Sequence, residues 1–441
     1  MTRRYPAYKD SGVEWLGEVP QGWEVRPIKG AFDVVGGTTP KSDVPEYWDG
    51  DINWVTPADL SNLPSRFIHE SGRQITEAGL GSCGTTVVPL GSIVLSVRAP
   101  IGSLAIAARE VCTNQGCKAL VPTKRAQSDF FYFVLEAARE ALNILGRGST
   151  FLELSGDQLA AFRVPLPPLP EQTAIAAFLD RETAKIDALV AEQRRLIDLL
   201  REKRQAVISH AVTKGLNPNA PLKPSGIDWL GNVPEGWEVV KLSAYFKASK
   251  GPRGQTLTKE YCGQCPGEYP VYSGQTDSLG VMGSIDDFDF DAGDEGVLFS
   301  TTVGAKAMTV SHILGKFSLS QNCMIISPIS DAIRPRFYFH HFQPLFSYCR
   351  SQIPDHMQPS FRMSDLYQFK IALPPKADQD EIASNLDALS AEFDQLIGVA
   401  YSAISLMQER RAALISAAVT GKIDVRHLAP HSTETSFEEV A

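Results

Sequence analysis

Apolar residues recur in alternating steps of four and three along one stretch of this chain, the pattern of one face of a long helix. The positions are Ile175, Leu179, Glu182, Ile186, Leu189, Gln193, Leu196, Leu200, Lys203 and Val207, and seven of the ten are apolar. That spacing is a coiled-coil seam with polar interruptions. The cluster Pro165, Pro167, Pro168 and Pro170 sets the start, because prolines cannot continue a strand or stand in mid-helix. Glu171 in the first turn suits the helix dipole, and Lys214-Gly215 supplies a stop. Adding 207 to each position gives Ile382, Leu386, Leu389, Phe393, Leu396, Ala400, Ala403, Met407, Arg410 and Leu414, so the register returns without insertion. Bulky Leu196 answering small Ala403 suits two helices that pack on each other. The alternative is two separate helices, each flanking its own domain. The second helix leaves a compact block and runs back toward the start of the chain, which predicts an antiparallel pair. Some 43 residues at 1.5 Å each predict a length of roughly 65 Å.

The stretches before each helix carry the period-two pattern of strands instead. Val87, Val88, Ile93, Val94 and Leu95 around Pro89-Leu90-Gly91 predict strand, turn, strand, and Val297, Leu298 and Phe299 predict the same in the second block. Asp287, Asp289 and Asp291 alternate with Phe288 and Phe290, as in a strand with one wet face. A calcium loop is excluded because Gly293 comes one position late and Leu298 stands where the closing glutamate belongs. The two blocks resemble each other. Asn114-Gln115-Gly116-Cys117-Lys118 answers Ser320-Gln321-Asn322-Cys323-Met324, and Val94-Leu95-Ser96 answers Leu298-Phe299-Ser300. Between that serine and the next shared glycine (Gly102, Gly304) lie VRAPI in one and TTV in the other, so the strand is kept while the loop differs.

Each block is also announced by a repeated phrase, DSGVEWLGEVPQGWEV at 10–25 and PSGIDWLGNVPEGWEV at 224–239. Such duplication makes a pseudo-symmetric dimer within one chain. The expected fold class is α+β, with two mixed, strand-rich domains separated by a long antiparallel helix pair in an internal pseudo-two-fold repeat. The expected organisation is an N-terminal repeat segment at 1–25, a first domain at 26–164, the first long helix at 165–216, and a linker with the second repeat at 217–239. A second domain at 240–371, the second long helix at 372–425 and an acidic, disordered tail at 426–441 complete it. The tryptophans Trp15, Trp23, Trp229 and Trp237 recur with the repeat, either as a docking surface near each helix junction or as local packing anchors.

Composition narrows the class. Hydrophobic content of 43% and charged content of 21% are those of a globular protein. No apolar window reaches the roughly 20 residues of a membrane span, and the N-terminus does not read as a signal peptide, so an intracellular, cytoplasmic protein is expected. A net charge of −9 argues against nucleic acid at first sight. Counted by segment the objection weakens: residues 26–167 carry 13 basic and 14 acidic side chains, and residues 240–372 carry 12 of each. Near-neutral blocks allow local basic faces, although such a chain alone does not hold DNA tightly. Seven cysteines at irregular spacings do not form a disulfide framework. Cys262 and Cys265 make half of a zinc site whose second pair is missing, so reduced thiols are the plainer reading.

Catalytic motifs are not found. Gly315-Lys316 and Gly421-Lys422 are followed by Phe and Ile, which breaks a P-loop. Leu166-Pro167-Pro168 and Leu373-Pro374-Pro375 have the prolines of an amino-methyltransferase motif without its polar and aromatic neighbours. His340-His341 near His356 and Cys349 read as core or solvated side chains. No metal site is expected, and the chain is expected not to be an enzyme by itself.

The repeated WLGxVPxGWEV, the helix start PLPPLPEQxxIAxFLD at 165–180, GSTFLELS at 148–155, GGTTPKS at 36–42 and YPVYSGQ at 269–275 resemble the DNA-specificity subunit of type I restriction-modification enzymes. The resemblance spans nearly the whole chain. It implies that each block is a target-recognition domain and that the helices are spacers. It further implies a split double-stranded DNA target, two methyltransferase subunits and motor-nuclease subunits, with S-adenosylmethionine, ATP and magnesium on those partners and no cofactor on this chain. The second helix start, LPPKADQDEIA, departs from the family's Pro-Glu-Gln. The competing readings are a coiled-coil scaffold without a DNA role and a zinc-dependent enzyme built on Cys262 and Cys265.

Side chains that read base edges are Arg, Gln, Asn, Ser and Thr, with Lys on phosphate. Loop-like positions offer Thr38, Thr39, Lys41, Arg98, Gln115, Arg147, Ser149 and Thr150 in the first block. The second offers Lys250, Arg253, Ser273, Gln275, Thr301, Thr302, Lys306, Ser360 and Arg362. Arg98 and the Thr301-Thr302 pair stand out because they lie where the two blocks diverge. Subunit assembly is assigned to the helix positions Ile175, Leu179, Ile186, Leu189, Leu196, Leu200, Ile382, Leu386, Leu389, Phe393, Leu396, Met407 and Leu414.

Overall fold

A computed structural model describes residues 3–61, 63–98, 100–146, 153–274, 280–304, 307–354 and 356–428. The chain divides into two compact units, Met1–Glu192 with Ala403–Ala441, and Gln193–Ser402. Each unit therefore contains one strand-rich block, one half of the first long helix and one half of the second. No helix among the described residues is long and apolar enough to cross a membrane.

In the first unit the strands β1 (Glu24–Pro27), β2 (Phe32–Gly36), β3 (Phe67–Ile68), β4 (Ile93–Ser96), β5 (Leu104–Ala107), β6 (Cys117–Pro122) and β7 (Arg163–Leu166) frame the block. Five of them form a sheet in the order β2-β6-β4-β5-β3, antiparallel except where β3 runs parallel to β5. β4 and β5 are buried along their whole length, so both faces of the sheet are covered. One face packs on helix α1 (Ser128–Ala137) and on the first half of α2, the 46-residue helix Leu169–Lys214. β7 pairs with β1 just before α2 begins, which returns the chain to the repeat segment. Val87 and Val88 do not form a hairpin with β4. Val88 bridges to Val111, and β4 takes β5 and β6 as neighbours.

The second unit repeats the plan with β8 (Glu238–Lys241), β9 (Phe246–Ser249), β10 (Val297–Thr301), β11 (Val310–Ile313), β12 (Cys323–Pro328) and β13 (Lys370–Leu373). The sheet order is β9-β12-β10-β11, all antiparallel, and β8 pairs with β13. Helix α3 (Pro335–Ser351) covers it, and α4, the 44-residue helix Lys376–Val419, follows. Cys117 lies opposite Ser96, whereas Cys323 lies opposite Thr301. The two blocks thus correspond one residue later than the sequence match Ser96 to Ser300 implies. Only Phe290–Asp291 of the acidic stretch is a strand, and the Asp289 side chain is buried rather than wet.

The helices pair antiparallel within each unit. In the first, Ile175 shares a core with Ala418 and Val419 while Asp187 meets Arg411 at 3.0 Å. In the second, Arg204 meets Asp394 at 2.7 Å and Arg201 donates to Tyr401 at 2.7 Å. Both helices end on a left-handed glycine, Gly215 (φ 75) and Gly421 (φ 74), the conformation that releases a chain from a helix at least cost. At Gly421 a Cβ would also stand 2.3 Å from the Pro20 ring.

The seam differs from a heptad. Covered positions on α2 run Ile175, Leu179, Thr183, Ile186, Val190, Gln193, Ile197, Leu200, Arg204, Ile208 and Ala211. On α4 they run Ile382, Leu386, Ser390, Phe393, Ile397, Ala400, Ile404, Met407, Arg411, Ile415 and Ala418, each 207 later. From 175 to 211, ten steps cover 36 residues, so the period is the 3.6 of a straight helix and not the 3.5 of a supercoil. A heptad count drifts by about 20° per seven residues and lands beside the buried row. Leu189, Leu196 and Leu396 are accordingly 54%, 43% and 52% exposed, and Val190, Ile197 and Ile397 take their places. Leu200, Leu389, Met407 and Leu414 are half-buried, while Ile175, Leu179, Ile186, Ile382, Leu386 and Phe393 are buried.

Candidate nucleic-acid interface

The end of each sheet where the central strand exits gathers four segments. In the first unit Gly37 lies so close to Thr113 that a Cβ would meet its carbonyl oxygen at 2.0 Å, which brings the loop 37–41 onto residues 113–115. Thr39 and Gln115 are hydrogen-bonded through their side chains, and both are exposed. Val97 donates its backbone amide to Gly116 at 2.8 Å, and Leu154 donates to Val97 at 2.8 Å. Arg98 therefore stands at the rim, bridged by backbone to Glu153 and ion-paired with its carboxylate at 3.2 Å.

The second unit builds the same cluster. Gly251 approaches the Leu319 carbonyl, Thr302 donates to Asn322 at 2.8 Å, and Phe361 donates to Thr302 at 2.7 Å. Val303 bridges to Ser360 where Arg98 bridges to Glu153. Counterparts by position are Gln115 and Gln321, and both are exposed. Gln321 lies outside the candidates read from loop position, and the sequence signal for it is the Gln repeated in the block-to-block match.

Several candidates are placed differently from expectation. Thr301 and Thr302 are only 2% and 6% exposed, and Thr301 Oγ1 shares a 3.0 Å hydrogen bond with Thr309. They are the ends of a buried strand, because the one-residue offset puts Val303 at the rim instead. Ser273 is buried as well. Arg253 is held by Asp289 at 2.6 Å and Asp287 at 3.0 Å, and those carboxylates raise its pKa. Thr38 is half-buried with its hydroxyl enclosed, and its carbonyl accepts from Trp54 at 3.0 Å. Lys41, Lys250, Ser360 and Arg362 are exposed, and the three cations among them form no ion pair among the described residues. Arg147, Ser149, Thr150, Gln275 and Lys306 lie outside the described residues, as does the tail from 429.

The other candidate chemistry dissolves into packing. Among the described residues no three His, Cys, Asp or Glu side chains are grouped to hold a metal ion. His340 bonds Asp387 at 2.6 Å, and His341 meets the Val212 carbonyl at 3.2 Å inside the aromatic core. Burial pushes the imidazole of His341 down to about 3 and the thiols of Cys117 and Cys323 up to about 12. Trp23 and Trp237 are buried anchors, while Trp15 and Trp229 are half-buried against Phe162 and His341.

Each helix start is tied down by one buried glutamine. Gln172, fully buried, donates through Nε2 to the carbonyls of Arg125 (3.0 Å) and Pro167 (2.8 Å) and accepts from the Gln127 amide (2.9 Å). Gln379 does the same with Ala332 (2.9 Å), Pro374 (2.8 Å) and Arg334 (2.9 Å). The second helix start lacks the Pro and Glu of the family's Pro-Glu-Gln but keeps its Gln.

Comparison with known proteins agrees with this duplicated design. The model of the type I restriction modification DNA specificity domain matches residues 20–197 and 234–398. The type I restriction enzyme MjaIX specificity subunit of Methanocaldococcus jannaschii is 33% identical over 242 residues, 54% of this chain and 54% of that protein. The matched part thus spans about half the length of that relative. A chain from the structure of type I R-M complex assembly and conformational transition superposes with a TM-score of 0.69 at 13% identity, over 91% of this chain and 98% of that one. The HsdS subunit from Thermoanaerobacter tengcongensis does so with a TM-score of 0.50 at 15% identity, over 92% and 98%. These two likenesses concern the fold. Two loop clusters on one plan, and two family matches that together cover most of the sequence, place this chain in the type I restriction-modification DNA specificity family.

Proposed function

We propose that the chain reads an asymmetric bipartite target in double-stranded DNA, one half per unit, and scaffolds two adenine-N6 methyltransferase subunits and motor-nuclease subunits. The observation that carries this reading is the loop cluster built twice with different side chains. Arg98 answers Val303, while Gln115 answers Gln321. Equal scaffolds with unequal rims suit two related readers of different base sequences. Rim cations that are few or already paired suit a subunit whose phosphate affinity is completed by its partners.

Partner docking is supported by the outer faces of the long helices. Leu189 and Leu396 are exposed at positions 207 apart, as are Leu199 and Leu406. Large apolar side chains repeated in water on a long helix mark a surface that another protein covers. S-adenosylmethionine, ATP and magnesium belong on those partners in this reading.

The test is to replace residues 26–161 with the corresponding block of a relative, assemble the complex with its methyltransferase subunits and sequence the methylated adenines. One half-site should change while the other stays. A change in both halves, or in neither, contradicts one reader per unit.

A further inference from the structure

The paired glutamines carry an inference that rests on this reading and goes past it. Three hydrogen bonds recur with all partners shifted by 207: Arg125 and Ala332, Gln127 and Arg334, Pro167 and Pro374, Gln172 and Gln379. Each amide joins three places at once. One is the segment that enters the block's covering helix, one is the proline linker from the last strand, and one is the first turn of the long helix. Both glutamines are fully buried, so their hydrogen bonds are made out of contact with bulk water. A buried polar group left unsatisfied costs about 1–3 kcal/mol, and here two carbonyls and one amide depend on one side chain.

The latch is not what keeps each block attached. In the first unit α1 and α2 share a continuous apolar core, Arg66 bonds Asp180, and Arg411 bonds Glu136 at 2.7 Å. In the second, Arg334 bonds Asp380 at 3.1 Å, and the apolar core runs from α3 to Ile382 and Leu386. Apolar contacts are non-directional and tolerate small rotations, whereas three buried hydrogen bonds to one planar amide do not. The latch is suited to fixing an angle.

We propose that Gln172 and Gln379 are positioning residues that set how each recognition block is held on its segment of the helix pair, and thereby how strictly the complex selects the gap between half-sites. The test uses the full chain assembled with its methyltransferase subunits, and DNA duplexes carrying the two half-sites at the native gap and at one base pair more or less. Gln172→Ala, Gln379→Ala and the volume-conserving Gln379→Met are compared with the unmodified chain.

The expected result is that preference for the native gap falls about tenfold, the size of one net hydrogen bond, while the bases required in each half-site stay the same. The Arg334 amide should also exchange its hydrogen faster in both Gln379 variants. Lower thermal stability with unchanged gap preference would show a merely structural role and overturn the proposal. If the alanine variants do not fold, Gln379→Met decides by the same criterion. An unmodified complex that methylates no bipartite target would defeat the proposed function itself, and a bipartite target with unrelaxed variants defeats only the latch.

Discussion

Arg253 binds Asp289 at 2.6 Å and Asp287 at 3.0 Å, and the Asp289 side chain is only 6% exposed. Removing the guanidinium leaves a buried carboxylate without its partner. Arg253→Ala should therefore lower the stability of the second unit by about 2 kcal/mol, whereas Lys250→Ala should stay within about 0.5 kcal/mol and weaken DNA binding by the complex. Urea denaturation and filter binding separate the two. His341 makes a different demand. Its folded pKa lies at about 3, below the usual 6.5, so the folded chain keeps the ring neutral while the unfolded chain takes up a proton. That stability is complete above pH 6.5 and declines as the pH falls from 6.5 toward 3. His341→Phe should flatten the loss of urea midpoint between pH 6.5 and 4, and an unchanged slope would refute the assignment. Neither role was legible in the sequence, because the partners lie 34, 36 and 129 residues away. What could be read was residue type in a loop, which identified Gln115 and Arg98 as rim side chains but misplaced Thr301 and Thr302.

The two long helices were the most legible elements, since one period persisted through each and returned after 207 residues. Their facing was not, because 3.5 and 3.6 differ too little to be told apart before the count has run several turns. The difference decides which leucine matters. Ile197→Asp places a carboxylate among buried side chains and should cost several kcal/mol, melting the helix pair in thermal denaturation followed by circular dichroism. Leu196→Asp stands on the surface and should leave that transition within about 0.5 kcal/mol while weakening assembly with methyltransferase subunits, measured by sedimentation. Equal melting of both variants would return the seam to the heptad register. The strands were legible where they were buried along all or nearly all of their length, as at Ile93–Ser96 and Val297–Thr301. The hairpin expected around Pro89-Leu90-Gly91 failed because Val88 finds its partner at Val111, beyond local turn chemistry.

At the scale of the molecule, duplication was plain in the sequence and so was the family it resembles, while the pairing that brings four segments together at each rim was hidden in loops. Helix length cannot change freely, because each added residue turns the rest of the helix by 100°. Four residues added to both α2 and α4 would leave everything beyond the insertion about 40° out of phase, seven about 20° in the opposite sense, and eighteen, five whole turns, not at all. Only the last is a silent change of length. Eighteen residues in each helix should lengthen the accepted DNA gap by about 27 Å, roughly eight base pairs, with full activity, while additions of two should abolish methylation. Duplexes with graded gaps would reveal the outcome, and activity falling smoothly with added length would rule out this selection. Under this selection, a chain of this design would change its reach in jumps of whole helical turns rather than residue by residue.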